Sequence, residues 1–305
     1  MNWEEDFKSE LEEFLFEEQF IFHAPMSEHT TFKIGGAADV LIFPKTSDEV
    51  SKIFKLIDKF KIPCTILGNG SNVLVLDNGI RGAVVKFTDK FFGNIRVEGS
   101  KIFADSGAKL KDVANFAAEN SLCGMEFAVG IPGSIGGAVF MNAGAYDGEM
   151  KNIVESVKAV SRTGELIDFC KENLNLDYRQ SIFQKNDCAI CEVELNLTQG
   201  NCDDIKNKMA DFTARRESKQ PLNLPSAGST FKRPKGYFAG TLIDKTGLKG
   251  LKIGGAMVSD KHAGFVVNVG GATAADVLNL IEEVKKRVRE AHGVILNPEV
   301  RIIGE

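Results

Sequence analysis

Histidine is scarce in this chain. The four residues, His23, His29, His262 and His292, show no H-E-x-x-H or other close spacing, which argues against a catalytic metal site. Cysteine is nearly as sparse, and six residues scattered from Cys64 to Cys202 are too few for a disulfide scaffold. Only Cys188 and Cys191 have the C-x-x-C spacing, and with no second pair or nearby histidine they read as core positions of a strand. No apolar run approaches the roughly 20 residues of a membrane span. The opening Met-Asn-Trp-Glu-Glu-Asp-Phe is acidic where a signal peptide is basic and then apolar. Both absences point to the cytoplasm. Basic charge is not in excess either: 37 lysines and arginines face 42 acidic residues, a formal charge of −5. Bulk electrostatics therefore offer nucleic acid no hold, and any phosphate site must be local. With 43% hydrophobic and 26% charged residues over 305 positions, the composition is that of a globular protein large enough for two domains.

Three familiar motifs are missing as well. There is no G-x-x-x-x-G-K-[ST] loop, no G-x-G-x-x-G between a strand and a helix, and no G-x-S-x-G elbow around Ser134. What is present is glycine in two concentrated stretches. Residues 130 to 146, Gly-Ile-Pro-Gly-Ser-Ile-Gly-Gly-Ala-Val-Phe-Met-Asn-Ala-Gly-Ala-Tyr, hold five glycines where a core segment needs bulk. Glycine lets backbone amides approach a ligand closely, so the stretch is expected to pack against something other than protein and to cradle phosphate at a helix start. Leu67-Gly-Asn-Gly-Ser-Asn-Val-Leu, between two apolar runs, is a second cradle of the same kind. Two cradles suggest a ligand with two phosphates.

Periodicity sets out the elements. An amphipathic helix is expected over 2–20, with Trp3, Phe7, Leu11, Phe14 and Leu15 on one face. A second starts at Thr46, with a Thr46/Glu49 capping-box pattern and a stripe of Val50, Ile53, Phe54 and Ile57. Strands are expected at 40–43, 62–67, 83–87, 94–98 and 101–105, a helix at 108–120, a hairpin of 154–160 with 165–169, and a strand at 188–197. A charged helix at 202–219 leads to a proline-punctuated junction at 219–225. The final helix, 273–292, has Asp276 at the capping position, a stripe of Val277, Leu280, Ile281, Val284 and Val288, and Gly293 as its stop. No repeat of fixed period is present.

Three polar residues stand out by setting: Arg179 in Tyr178-Arg-Gln-Ser-Ile-Phe, Ser229 in Pro225-Ser-Ala-Gly-Ser-Thr-Phe-Lys, and Glu299 in Asn297-Pro-Glu-Val. Taken singly, each also admits a plain reading, as a surface ion pair, a turn cap and a strand edge respectively. Together with Thr30-Thr-Phe-Lys-Ile-Gly-Gly, both glycine stretches and Gly254-Gly-Ala-Met-Val-Ser, these segments run in the order found in the UDP-N-acetylenolpyruvoylglucosamine reductase family, which the chain resembles from residue 30 to 300.

The resemblance implies an α+β fold similar to the vanillyl-alcohol-oxidase and p-cresol-methylhydroxylase flavoproteins. Its parts would be a lead-in helix (1–28), an FAD-binding domain of two α+β subdomains (29–199) and a C-terminal α+β substrate domain (200–305). It implies an NADPH- and FAD-dependent oxidoreductase that reduces the enolpyruvyl ether of a UDP-sugar to UDP-N-acetylmuramate, working on small molecules without a membrane, nucleic acid or obligate protein partner. FAD would be held by Leu67, Gly68, Asn69, Gly70, Ser71, Asn72 and Val73, and by Gly130, Pro132, Gly133, Ser134, Gly136, Gly137, Met141, Asn142 and Ala143. Arg179 would stabilise charge on the substrate carboxylate, Ser229 would donate a proton, and Tyr178 and Lys232 would touch substrate. Glu299 is expected to be protonated or to share a proton during turnover, its pKa raised by burial and by the neighbouring carboxylate. With Tyr146, Tyr178 and Tyr237 its only tyrosines, the chain resembles the shorter members, which lack the segment that folds a tyrosine over the nucleotide. The rival reading is another flavin oxidase or dehydrogenase of the same fold acting on a different small substrate.

Overall fold

In the computed structural model, which describes residues 3 to 305, Thr46 caps the helix Ser47–Phe60, its hydroxyl accepting the Glu49 amide at 3.1 Å. Val50, Ile53, Phe54 and Ile57 form the buried stripe. The capping box is left half made, because the Glu49 carboxylate accepts instead from the Lys45 amide and from Gln19 Nε2. Gln19 is fully buried and also exchanges hydrogen bonds with the Phe43 backbone at 3.0 and 2.7 Å. The first helix is shorter than expected. It runs Trp3–Leu11, and Phe20 already begins the strand Phe20–Pro25. Asn2, the expected first helical residue, lies outside the described residues.

The chain divides into two compact units. One takes in the N-terminal residues to Phe22, Val40–Asn69 and Gly82–Arg215; the other takes in His23–Asp39, Gly70–Arg81 and Arg216–Glu305. In the first unit, Val40, Ile42, Ala83, Val85 and Phe87 share a core with Phe7, Ile53 and Phe54. There Cys64–Leu67 pairs in parallel with the strand Ile80–Lys86, Leu67 opposite Lys86. The same unit holds an antiparallel sheet of five strands in the order Leu166–Cys170, Val154–Val160, Ala189–Asn196, Lys101–Asp105 and Ile95–Glu98. The expected hairpin is its outer pair. The helices Leu110–Glu119 and Ile135–Met141 pack on this sheet through Leu110, Val113, Ile135 and Val139. The helix Cys202–Lys219 adds Ile205, Met209 and Phe212 to that core, with the Phe212 ring stacked on Tyr146 at 4.4 Å between centroids. Its residues up to Arg215 therefore pack with the first unit. Cys188 and Cys191 are free and buried, and burial pushes the Cys191 thiol up to about 12, which makes it a poor thiolate.

The second unit contains a three-stranded antiparallel sheet of Lys252–Ile253, Ala256–Val258 and Val266–Asn268. It is covered by the helix Ala274–His292, whose buried face is Val277, Leu280, Ile281, Val284 and Val288. Thr273, not Asp276, is the cap of this helix. Its hydroxyl accepts the Asp276 amide, and the Asp276 carboxylate closes the capping box. Gly293 ends it at φ +67°. Val73–Val75 pairs in parallel with Arg301–Ile303.

One residue runs against the composition of its surroundings. Lys86, the last residue of its strand, is 7% exposed, and burial lowers its ammonium pKa from 10.5 to about 8. Below about pH 8 the folded chain carries the desolvated charge. Between about 8 and 10.5 the unfolded chain binds a proton that the folded chain does not, so stability rises with pH there. Lys86→Met is expected to raise the unfolding free energy of the ligand-free chain at pH 7 by up to about 3 kcal/mol. The gain should shrink to nothing above pH 10.5. A denaturant midpoint difference that ignored pH would refute this account.

Candidate active site

In the first unit the two glycine stretches meet. Asn69 Nδ2 donates to the Pro132 carbonyl at 2.6 Å, and a Cβ on Gly68 would lie 2.6 Å from Ser134 Oγ, so any larger residue there must displace the serine hydroxyl. Ser134 caps the helix Ile135–Met141 by accepting from the Gly137 amide. The helix start is not the open phosphate cradle its sequence suggests. The Ile135 amide donates to the Ala108 carbonyl at 2.8 Å and the Gly136 amide to Ser106 at 2.9 Å. A Cβ on Gly136 would collide with the Ser106 side chain. Part of the missing bulk is thus filled by protein, which corrects the expectation that only a ligand packs there. The amides of Gly68, Asn69, Gly133 and Ser134 have no acceptor among the described residues. They form a donor set from two loops, suited to an anion such as a diphosphate.

The far end of the same helix is tied to Arg179. Gln184 Nε2 donates to the Phe140 carbonyl at 2.8 Å and to the Arg179 carbonyl at 3.1 Å, and Ser181 Oγ also donates to Phe140 O. Asn142, buried at φ +42°, donates through Nδ2 to Glu149 and to the Asp177 carbonyl, and accepts the Lys151 amide. Its side chain therefore clips three segments together. Met141 and Ala143 flank it. Asp177 and Gln180 exchange backbone hydrogen bonds, which puts Tyr178 and Arg179 at the tip of a two-residue turn. Arg179 has φ +54°, the position where such a turn normally takes glycine. A bulky residue held there costs on the order of 1–3 kcal/mol, and strain of this kind clusters at functional sites. The Arg179 guanidinium lies over the Tyr178 ring, 5.4 Å from its centroid.

The second unit brings together Ser229, Lys232 and Glu299. The Glu299 amide donates to the Thr230 carbonyl at 2.8 Å and the Lys232 amide to the Asn297 carbonyl at 2.8 Å, around an antiparallel bridge between Phe231 and Pro298. On the other side, the Thr230 amide donates to the Gly264 carbonyl and the Val266 amide to Thr230 Oγ1. Ser229 and Lys232 are exposed and Glu299 is half-buried. The segment Gly70–Val73 belongs to this unit too. Asn72 Nδ2 reaches the Glu299 carbonyl at 3.4 Å, and Asn72 O accepts the Arg301 amide. Thr31 fastens the neighbourhood, its amide donating to Gly70 O and its hydroxyl to Ser226 O at 2.7 Å. Nothing about Thr31 taken alone marks it, and only its place in the Thr30-Thr-Phe-Lys segment hinted at a role.

A family model described as the C-terminal domain of UDP-N-acetylenolpyruvoylglucosamine reductase matches residues 220–303, and one described as an FAD binding domain matches residues 38–169. The UDP-N-acetylenolpyruvoylglucosamine reductase of Clostridium perfringens is 53% identical over 304 residues, covering 100% of this chain and 99% of that protein. The chain belongs to the UDP-N-acetylenolpyruvoylglucosamine reductase family. A solved UDP-N-acetylenolpyruvylglucosamine reductase from Thermus caldophilus is 34% identical with a TM-score of 0.79, over 93% of this chain and 98% of that one. The likeness to p-cresol methylhydroxylase, 13% identical with a TM-score of 0.50 over 66% of this chain and 44% of that one, is one of fold alone. The α+β flavoprotein fold expected for the reductase family therefore holds, and the segment matched to an FAD binding domain, residues 38–169, contains both glycine stretches. Among the described residues no helix is long and apolar enough to cross a membrane.

Proposed function

We propose that this member of the reductase family uses NADPH to reduce the enolpyruvyl ether of UDP-N-acetylglucosamine enolpyruvate, giving UDP-N-acetylmuramate for peptidoglycan synthesis. It does so in the cytoplasm, on small molecules and without an obligate protein partner. The observation that carries this reading is the match to the family along the whole chain. The two glycine stretches, 67–73 and 130–143, would hold FAD, with the amides of Gly68, Asn69, Gly133 and Ser134 as donors to its diphosphate. FAD, when bound, supplies to the terminal vinyl carbon the hydride it has taken from NADPH.

The protein is left with a charge and a proton to manage. Negative charge develops on the carbon next to the substrate carboxylate. Arg179 pairs with that carboxylate in forked geometry and stabilises the enolate-like charge. The strained turn that presents Arg179 supports this role. Ser229 donates the proton that quenches the carbon, a poor acid made sufficient by the basicity of the carbanion. Glu299 shares a proton during turnover, since a fully ionised carboxylate would repel the substrate's own. Lys232 meets the diphosphate of the UDP-sugar and Tyr178 lines the substrate beside Arg179.

The purified protein is expected to be yellow, to bleach when NADPH is added without oxygen, and to regain its colour on addition of the UDP-enolpyruvyl sugar. A colourless protein that FAD does not reconstitute, or a bleached one recoloured by oxygen but not by the sugar, would remove this reading.

A further inference from the structure

Tyr178 and Arg179 turn the chain between Asp177 and Gln180, which pair across an antiparallel bridge. Of these two central residues only Arg179 has positive φ, +54°, so the turn is of type II with arginine in the place of glycine. A side chain at that position favours the alternative type I turn, in which the peptide between the two central residues is flipped and the second returns to negative φ. The same relaxation would re-aim the arginine side chain. The strained form persists only where its surroundings hold it.

Two side chains do so, one on each side of the peptide that would flip. Gln184 Nε2 carries two hydrogens and has an acceptor for each, the Arg179 carbonyl at 3.1 Å and the Phe140 carbonyl at 2.8 Å. Asn142 Nδ2 donates to the Asp177 carbonyl at 3.1 Å and to Glu149 at 2.9 Å, while its Oδ1 accepts the Lys151 amide at 2.9 Å. Asn142 is 2% exposed, and both hydrogens of its side-chain amide are taken by protein. The two braces stand on one base. Phe140 and Asn142 lie at the end of the helix Ile135–Met141, whose first amides are pinned to the carbonyls of Ala108 and Ser106.

We propose that Gln184 and Asn142 are positioning residues that hold the Arg179 turn in its strained form and so aim the guanidinium at the substrate carboxylate, an assignment that rests on the function given above. Neither side chain has to touch a ligand to do this. Loss of either brace therefore costs the step in which charge develops on the substrate and spares the reduction of the flavin, in which Arg179 has no part.

Gln184→Met removes both donors at nearly constant volume. It is expected to slow recolouring by the UDP-enolpyruvyl sugar about 10- to 100-fold, the scale of a misplaced reacting group, with bleaching by NADPH near the parent rate. Asn142→Gly, measured at saturating FAD, should do the same. Glycine accepts φ +42° without strain, so this second variant carries the test where Gln184→Met fails to fold. The background separates aiming from general support. In an Arg179→Gly enzyme, which has neither a guanidinium to aim nor strain to hold, adding Gln184→Met or Asn142→Gly should slow recolouring by no more than about 2-fold further. A loss that multiplies in full in that background, equal slowing of bleaching and recolouring, or recolouring that both variants leave untouched overturns the assignment. A parent enzyme that the sugar does not recolour, or an Arg179→Gly enzyme that recolours at the parent rate, defeats the functional reading itself, an outcome distinct from these.

Discussion

Ser229→Ala is expected to leave the bleaching of the flavin by NADPH near its normal rate and to slow recolouring by the UDP-enolpyruvyl sugar by about 10²- to 10⁴-fold, the range a positioned proton donor supplies. Stopped-flow absorbance under anaerobic conditions separates the two halves. The asymmetry is the test, because Ser229 acts only once a carbon has become basic, and equal losses in both halves would remove it from proton donation. Serine is a weak acid, so its neighbour matters. The Glu299 amide is bonded to Thr230 O, which places Glu299 opposite Thr230, the neighbour of Ser229. If Glu299 shares a proton, Glu299→Gln must alter the pH profile of the recolouring step while leaving bleaching unaffected. An unchanged profile would reduce Glu299 to packing.

Arg179→Gly is expected to move stability and activity in opposite directions. At φ +54° the arginine backbone sits in the left-handed region, where a side chain costs about 1–2 kcal/mol and glycine costs nothing for sterics. The variant should therefore unfold at higher denaturant, by about 1 kcal/mol once the contact with Tyr178 is lost. Recolouring by the enolpyruvyl sugar should fall about 10²- to 10³-fold, as when one preorganised donor to a developing charge is removed. A variant that lost stability would show that the turn is held by the arginine side chain and that no strain is stored in it.

The elements that were legible in the sequence are those whose signals are local. Thr46 and Gly293 mark helix ends through their own side chains or their absence, and the stripes beside them follow, whereas the cap of the last helix falls on Thr273 and not on the Asp276 that the sequence suggests. The helical pattern over 2–20 overruns the helix Trp3–Leu11, and Gln19 within it answers to Phe43 and Glu49, partners invisible from its own neighbourhood. The helix at 202–219 looked like the start of a new domain, and Phe212 shows why pattern alone could not assign it: its partner is Tyr146, far back in the chain. The glycine stretches were readable as places of close approach. Which neighbour approaches was not, and at Gly136 it is Ser106. Arg179 drew notice through the motif alone. Its positive φ could not be foreseen, since the sequence rule for that turn position names glycine. The nearness of Ser229 to Glu299 depends on a backbone bridge between distant segments, which no spacing encodes.

The parallel pairing of Arg301–Ile303 with Val73–Val75 has a consequence for the order in which the protein can be made. The amides of Arg301, Leu76 and Asn78 bond to the carbonyls of Asn72, Ile303 and Glu305, and the Glu305 amide to Gly79 O. Until residues 301–305 have emerged from the ribosome, the stretch 72–79 has no partner along that edge. Contacts so distant in sequence form late, because a long loop must close before they repay it. The nascent chain thus carries Asn72 and Val73, the end of its first glycine stretch, without these partners until that segment has emerged, and a flavin can meet the completed loop only then.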